Sequence, residues 1–191
     1  MPPKFKFTRD EILDAALDIT RQGGLCALTA RSLAAKLGCS VKPIFGLFRN
    51  MEEVQQEVLS AANALYQNYI GQDMATGKYP PYKASGMAYI RFAREEKELF
   101  KLLFMRDRSS EEVADGMEDI KPLLEIIQKT TGFSREEAYQ FHLEMWIYVH
   151  GIATMVATSY LDWDMEFVSE ALTDGYMGLK KAMELKKKAE D

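Results

Sequence analysis

The sequence predicts an all-α protein in two parts, a three-helix amino-terminal part containing a helix-turn-helix and a larger helical part behind it. Three observations predict it. Thr29 to Phe48, TARSLAAKLGCSVKPIFGLF, reads as two short apolar-faced helices around a glycine turn. Thr8-x-x-Glu11, Asn50-x-x-Glu53 and Ser134-x-x-Glu137 are capping boxes, each opening a segment with helical apolar spacing. No segment carries a convincing strand period, and there are no internal repeats or low-complexity segments.

Composition sets the outer bounds. A chain of 191 residues, 47% hydrophobic and 28% charged, is long enough to bury a substantial core. No run of 18 apolar residues predicts a membrane span. The start, MPPKFKFTRDEI, lacks the apolar stretch of a signal peptide, so a cytoplasmic protein is expected. Two cysteines, Cys26 and Cys39, are too few for a disulfide framework and are expected to be buried and inert. The net charge is −5, but residues 1 to 58 hold eight Lys/Arg against seven Asp/Glu and the remainder 16 against 22. The early cations Lys4, Lys6, Arg9, Arg31, Lys42 and Arg49 fall at element ends. For contact with phosphate, such local placement matters more than the overall charge.

The elements follow in order. Residues 1 to 7 form an arm that is either disordered or laid along DNA. The first helix starts at Thr8, buries Ile12, Ala15, Ala16 and Ile19, and stops at Gly23-Gly24. Thr29 caps the second, whose apolar face is Ala30, Leu33, Ala34 and Leu37, and Gly38 ends it. Ser40 caps a third from Val41, with Pro43 in its first turn and Val41, Ile44 and Phe48 facing inward. The fourth, from Asn50, carries Val54, Val58, Ala61, Leu65 and Ile70. Gly77 to Pro81 breaks the chain, and a helix follows from Tyr82 with Met87, Ile90, Phe92 and Ala93 inward. Glu95 to Met105 is dense in large apolar residues, and Arg106 to Ser110 is a polar loop. Glu111 to Thr130 is helical, with Pro122 making a kink or break. A long helix runs from Ser134 to about Leu161. After the turn at 162–164, a last helix ends in Lys186-Lys187-Lys188, where cations suit the carboxyl end.

Thr8 to about Val54 resembles the DNA-binding domain of TetR-family transcriptional regulators. The features that carry the resemblance are the Gly-Gly-Leu link, TARSLAAKLG and SVKPIFGLFRNMEEV. Phe45 stands where tyrosine is common, Leu47 where histidine is and Met51 where lysine is, and each change removes a polar partner for phosphate. YIRFAREEKELFKLLFM and WIYVHG give a weaker resemblance to the family's carboxyl-terminal domain. The resemblance implies residues 1–52 as the helix-turn-helix DNA-binding domain and 53–191 as the ligand-binding and dimerisation domain. It further implies a homodimeric repressor of double-stranded DNA operators, released by an apolar small molecule. The alternatives are a helical protein–protein interaction module and a regulator of the same fold without a small-molecule ligand.

The residues divide into three sets. For DNA, Lys42 can read guanine or grip phosphate, with Ser40, Pro43 and Phe45 as exposed neighbours. Thr29, Arg31 and Arg49 stand at helix ends and are expected to touch phosphate. For a ligand, Tyr89, Phe92, Phe104, Phe141, Met145, Tyr148 and Met155 are expected to line a cavity between the long helix and residues 82–105, or else to be core. For a dimer, Gly151, Thr154 and Thr158 form one small-residue stripe with Ile147, and Ala171, Gly175, Gly178 and Ala182 form another. These small stripes would admit a partner's helices, while Phe141, Met145, Tyr148, Ile152 and Met155 face their own core. His142, Glu144 and His150 do not assemble as metal ligands at their helical spacing. No catalytic set is found, so neither an enzyme nor a cofactor is expected.

Overall fold

The computed structural model describes residues 7–107, 109 and 117–190. Residues 1–6 of the arm, residues 108 and 110 of the polar loop and the expected helix start at Glu111 lie outside the described residues. Within them there are eight α-helices and no strand. The helices are α1 (Arg9–Gly23), α2 (Ala30–Lys36), α3 (Met51–Ala75), α4 (Pro81–Glu95), α5 (Lys97–Phe104), α6 (Met117–Thr131), α7 (Arg135–Ala157) and α8 (Met165–Glu190). Short 3-10 turns stand at Leu25–Ala27 and Ile44–Gly46.

Local chemistry sets most boundaries. Thr8 and Ser134 make complete capping boxes with Glu11 and Glu137. Thr29 caps α2, with Ser32 completing its box. Gly24 and Gly38 end α1 and α2 at φ of 72° and 62°, values that suit glycine. A Cβ at Gly24 would also stand 2.9 Å from Glu98 Oε2. The long helix stops at Ala157, four residues earlier than expected, and Ser159 takes φ 56° just after it. Pro122 lies inside α6, which continues through it.

The chain divides into two compact units. One comprises residues up to Asn68 together with Glu95–Arg106, and the other comprises Tyr69–Arg94 with the residues from Asp107 on. The division read from the sequence, at 52/53, falls at the start of α3, whereas these units part inside that helix and give α5 to the first. The core of the first unit gathers Ile12, Ala16, Leu28, Leu33, Ile44, Phe48, Val54 and Val58, with Leu102 of α5. On α3 the third buried position is Ala62, and Ala61 is half-buried. In the second unit α4 is buried from Met87 through Ile90 and again at Phe92 and Ala93. Phe141, Met145, Ile152 and Ala153 of α7 are buried in the same unit, as are Val168 and Leu172 of α8.

Candidate functional site

The expected third helix, from Val41, is a single turn. Phe45, Gly46 and Phe48 donate backbone N–H bonds four residues back, while Ile44 and Leu47 donate three back. No side chain caps its start. Gly46 disfavours helix by roughly 1 kcal/mol against alanine, and no regular helix continues past it. Ile44 and Phe48 point into the core as expected. Val41, expected inward, is 39% exposed, because the chain enters the turn at its outer edge. Ser40, Lys42 and Phe45 are exposed, and Pro43 is half-buried. Leu47 and Met51 pack against the core. Two of the three polar side chains common in the family are therefore replaced by packing residues, and only Phe45 faces out.

Thr29, Arg31 and Arg49 are exposed. Arg49 donates to Glu53 from both its backbone N–H, at 2.7 Å, and its side-chain Nε, at 3.2 Å. Arg9, grouped with the cations at element ends, is engaged internally. Its guanidinium donates to the Leu47 carbonyl at 2.6 Å, to Glu53 at 2.7 Å and to Glu57, and it lies 4.1 Å from the Phe48 ring centroid. This clamp fastens the end of the turn at Ile44–Gly46 to α1 and α3. It also holds the Glu53 carboxyl down at about 2, first through Arg9 and then through the Arg49 N–H. Residues 19–51 hold five Lys/Arg and no Asp/Glu, whereas the rest of the chain holds 19 against 29. The acids of α1 and α3 flank this window, so residues 1 to 58 as a whole are nearly balanced in charge.

In the second unit, two tyrosine–histidine pairs join α4 to α7. Tyr82 Oη lies 3.0 Å from His142 Nδ1, and Tyr89 Oη lies 2.8 Å from His150 Nδ1. Burial lowers the pKa of both imidazoles below the ordinary 6.5, which favours the neutral rings in these pairs. Among the described residues no group of three His, Cys, Asp or Glu could hold a metal. Cys26, expected buried, is exposed, and Cys39 is half-buried.

The ligand set separates. Tyr89, Phe92, Phe141 and Met145 are buried in the second unit. Phe104 belongs to the first unit, where its ring meets Tyr66 edge-on at 5.2 Å. Tyr148 and Met155, expected inward, are exposed. They line an open groove between α7 and α8 with Ile147, Gly151, Ile152, Trp163, Phe167 and Ala171. The α7 stripe is wider than a clean bulky-in, small-out division allows, and the core takes only its inner edge. In the dimer set, Gly151, Thr154, Ala171 and Gly175 are half-buried, and Thr158, Gly178 and Ala182 are exposed. Gly175 is covered by Tyr148 of the same chain, whose ring would lie 3.1 Å from a Cβ there. Thr158 returns its hydroxyl to the Thr154 carbonyl at 2.7 Å.

Residues 82–176 match the family model described as tetracyclin repressor-like, C-terminal domain. The chain belongs to the TetR family. The match lies over α4 to α8, where the sequence carried the weaker of its two resemblances. No curated protein matches the chain. TetR-family members are transcriptional regulators, and that is the class in which this chain falls. Among the described residues no helix is long and apolar enough to cross a membrane.

Proposed function

We propose that this TetR-family chain is a cytoplasmic homodimeric repressor that binds a near-palindromic DNA operator and leaves it when an apolar small molecule binds. The observation that supports DNA binding best is the exposed Lys42 turn, set on a buried core within a 33-residue stretch free of acid. Lys42 is the base-reading or phosphate-gripping cation, and Thr29, Arg31 and Arg49 are phosphate contacts. Two such turns in a dimer would sit about 34–36 Å apart, one DNA turn. The test is titration against upstream DNA over a range of salt. Lys42→Ala is expected to weaken binding and, where each Lys42 of the dimer meets a phosphate, to lower the salt slope by about two, one per protomer. Equal binding by both proteins to every sequence would remove Lys42 from the interface.

The apolar groove and the exposed Gly178 and Ala182 support a four-helix dimer contact through α7 and α8. The aromatic cluster of buried Phe141 with half-buried Tyr82 and Tyr176, and His142 as polar handle, supports an aromatic or acyl ligand within the second unit. Such a ligand acts only by binding the DNA-incompetent state more tightly. A thermal-shift and DNA-release screen with hydrophobic compounds, run on wild type and Met145→Trp, tests it. A hit that stabilises both equally and leaves DNA binding unchanged rules this site out. A second reading, a protein–protein interaction module, is favoured by the shortness of the recognition turn and the apolar residues at 45, 47 and 51. Failure to bind heparin or DNA at low salt would select it.

A further inference from the structure

The turn carrying Lys42 offers little that can hydrogen-bond to a base edge. Its outward side chains are Ser40, Val41, Lys42 and Phe45. It holds no Asn or Gln for the paired bonds that identify adenine, and no Arg for the fork that identifies guanine. It does hold two large apolar side chains turned to solvent, Val41 at 39% and Phe45 at 43% exposure. These are two of the three large apolar side chains left exposed among the described residues of the first unit. The Phe45 N–H points to the Val41 carbonyl at 3.4 Å, so the two lie one turn apart on one side. Lys42 stands next to them, within the stretch 19–51 that has no acid. An apolar pair inside a purely cationic stretch suits a polyanion that displays methyl groups, and the thymine C5-methyl in the major groove is such a group.

We infer that Val41 and Phe45 read thymine through its methyl group, with Lys42 on a neighbouring guanine or phosphate. This rests on the DNA-binding reading above and names what that surface recognises. Four residues of helix advance about 6 Å, close to two base-pair steps, so the thymines read by the pair stand within two steps of each other.

The test begins with selection of randomised duplexes by the full-length chain. Each thymine of the enriched half-site is then replaced singly by uracil, which removes the methyl and keeps the pairing. Wild-type affinity is expected to fall about fourfold at one or two positions of each half-site, the effect of exposing one methyl group. Phe45→Ala and Val41→Ala are each expected to lose the thymine–uracil difference at one of those positions while still binding DNA. If uracil changes nothing at any position and sequence-specific binding persists, methyl reading is overturned and DNA binding stands. If the selection enriches no duplex, both are overturned.

Discussion

Arg9 shows how a single side chain's role depends on what folds around it. At the start of α1 it reads as a cation free to meet phosphate. In the structure its guanidinium is divided among the Leu47 carbonyl, Glu53 and Glu57, over the Phe48 ring. Glu53 answers with bonds from Arg9 and Arg49, while Asn50 Oδ1 accepts the Glu53 N–H. Half of the expected Asn50 box therefore forms, and the carboxylate that would complete it is used by the two arginines. Held at about 2 when folded, against an ordinary glutamate pKa of about 4.3, the Glu53 carboxyl stabilises the fold fully above that ordinary value. The contribution is lost as pH falls toward 2. The stability difference between wild type and Glu53→Gln, measured by urea unfolding at pH 7 and at pH 2.5, is expected to narrow in acid. A difference of the same size at both would mean that the charge on Glu53 contributes nothing.

At the scale of elements, the seam between α4 and α7 carries a pH dependence of opposite chemical origin. His142 is held neutral by burial beside Tyr82, and its folded pKa lies below the ordinary value. The unfolded chain therefore binds the proton more readily. Stability is full above about pH 6.5 and falls as the solution is acidified below it. His142→Phe is expected to flatten the drop in unfolding midpoint between pH 7 and pH 5. Identical slopes for both proteins would show that His142 does not carry it. The α2 cap offers a second check on element energetics. Thr29 Oγ1 accepts the Ser32 N–H at 3.1 Å, so Thr29→Ala is expected to cost roughly 1 kcal/mol in stability by denaturant unfolding. A larger loss in DNA affinity than Arg31→Ala produces would add a phosphate contact to that cap.

For the whole molecule, the decisive surface is the open apolar face of α7 and α8. Ile147 is 67% exposed there, and Phe167 and Met177 are exposed as well. A Cβ at Gly178 meets nothing within 4 Å in its own chain, whereas one at Gly175 would strike Tyr148. Gly178→Leu is thus expected to leave the protomer folded and to weaken a two-fold contact by ~1–3 kcal/mol through overpacking. Sizing and circular dichroism would show a folded monomer where wild type is a dimer. A wild-type monomer at micromolar concentration would remove the dimer altogether.

The sequence by itself determined what depends on neighbours in the chain. The caps at Thr8, Thr29 and Ser134, the stops at Gly24 and Gly38, and the buried stripes of α1, α2 and α4 are all set within a turn or two, where residue type and spacing suffice. The family was legible for the same reason, since its motifs lie on such short stretches. The tertiary structure decided the rest. Pro43 and Gly46 were visible, but only the core around Ile44 and Phe48 shows that a single turn satisfies both. Tyr148 and Met155 share helical spacing with Phe141 and Met145, yet α7 is only partly covered, so one edge of the apolar stripe stays open. Periodicity ranks the faces of a helix by polarity. How much of an apolar face is covered depends on the other helices, and that coverage separates the candidate ligand site from the candidate dimer face.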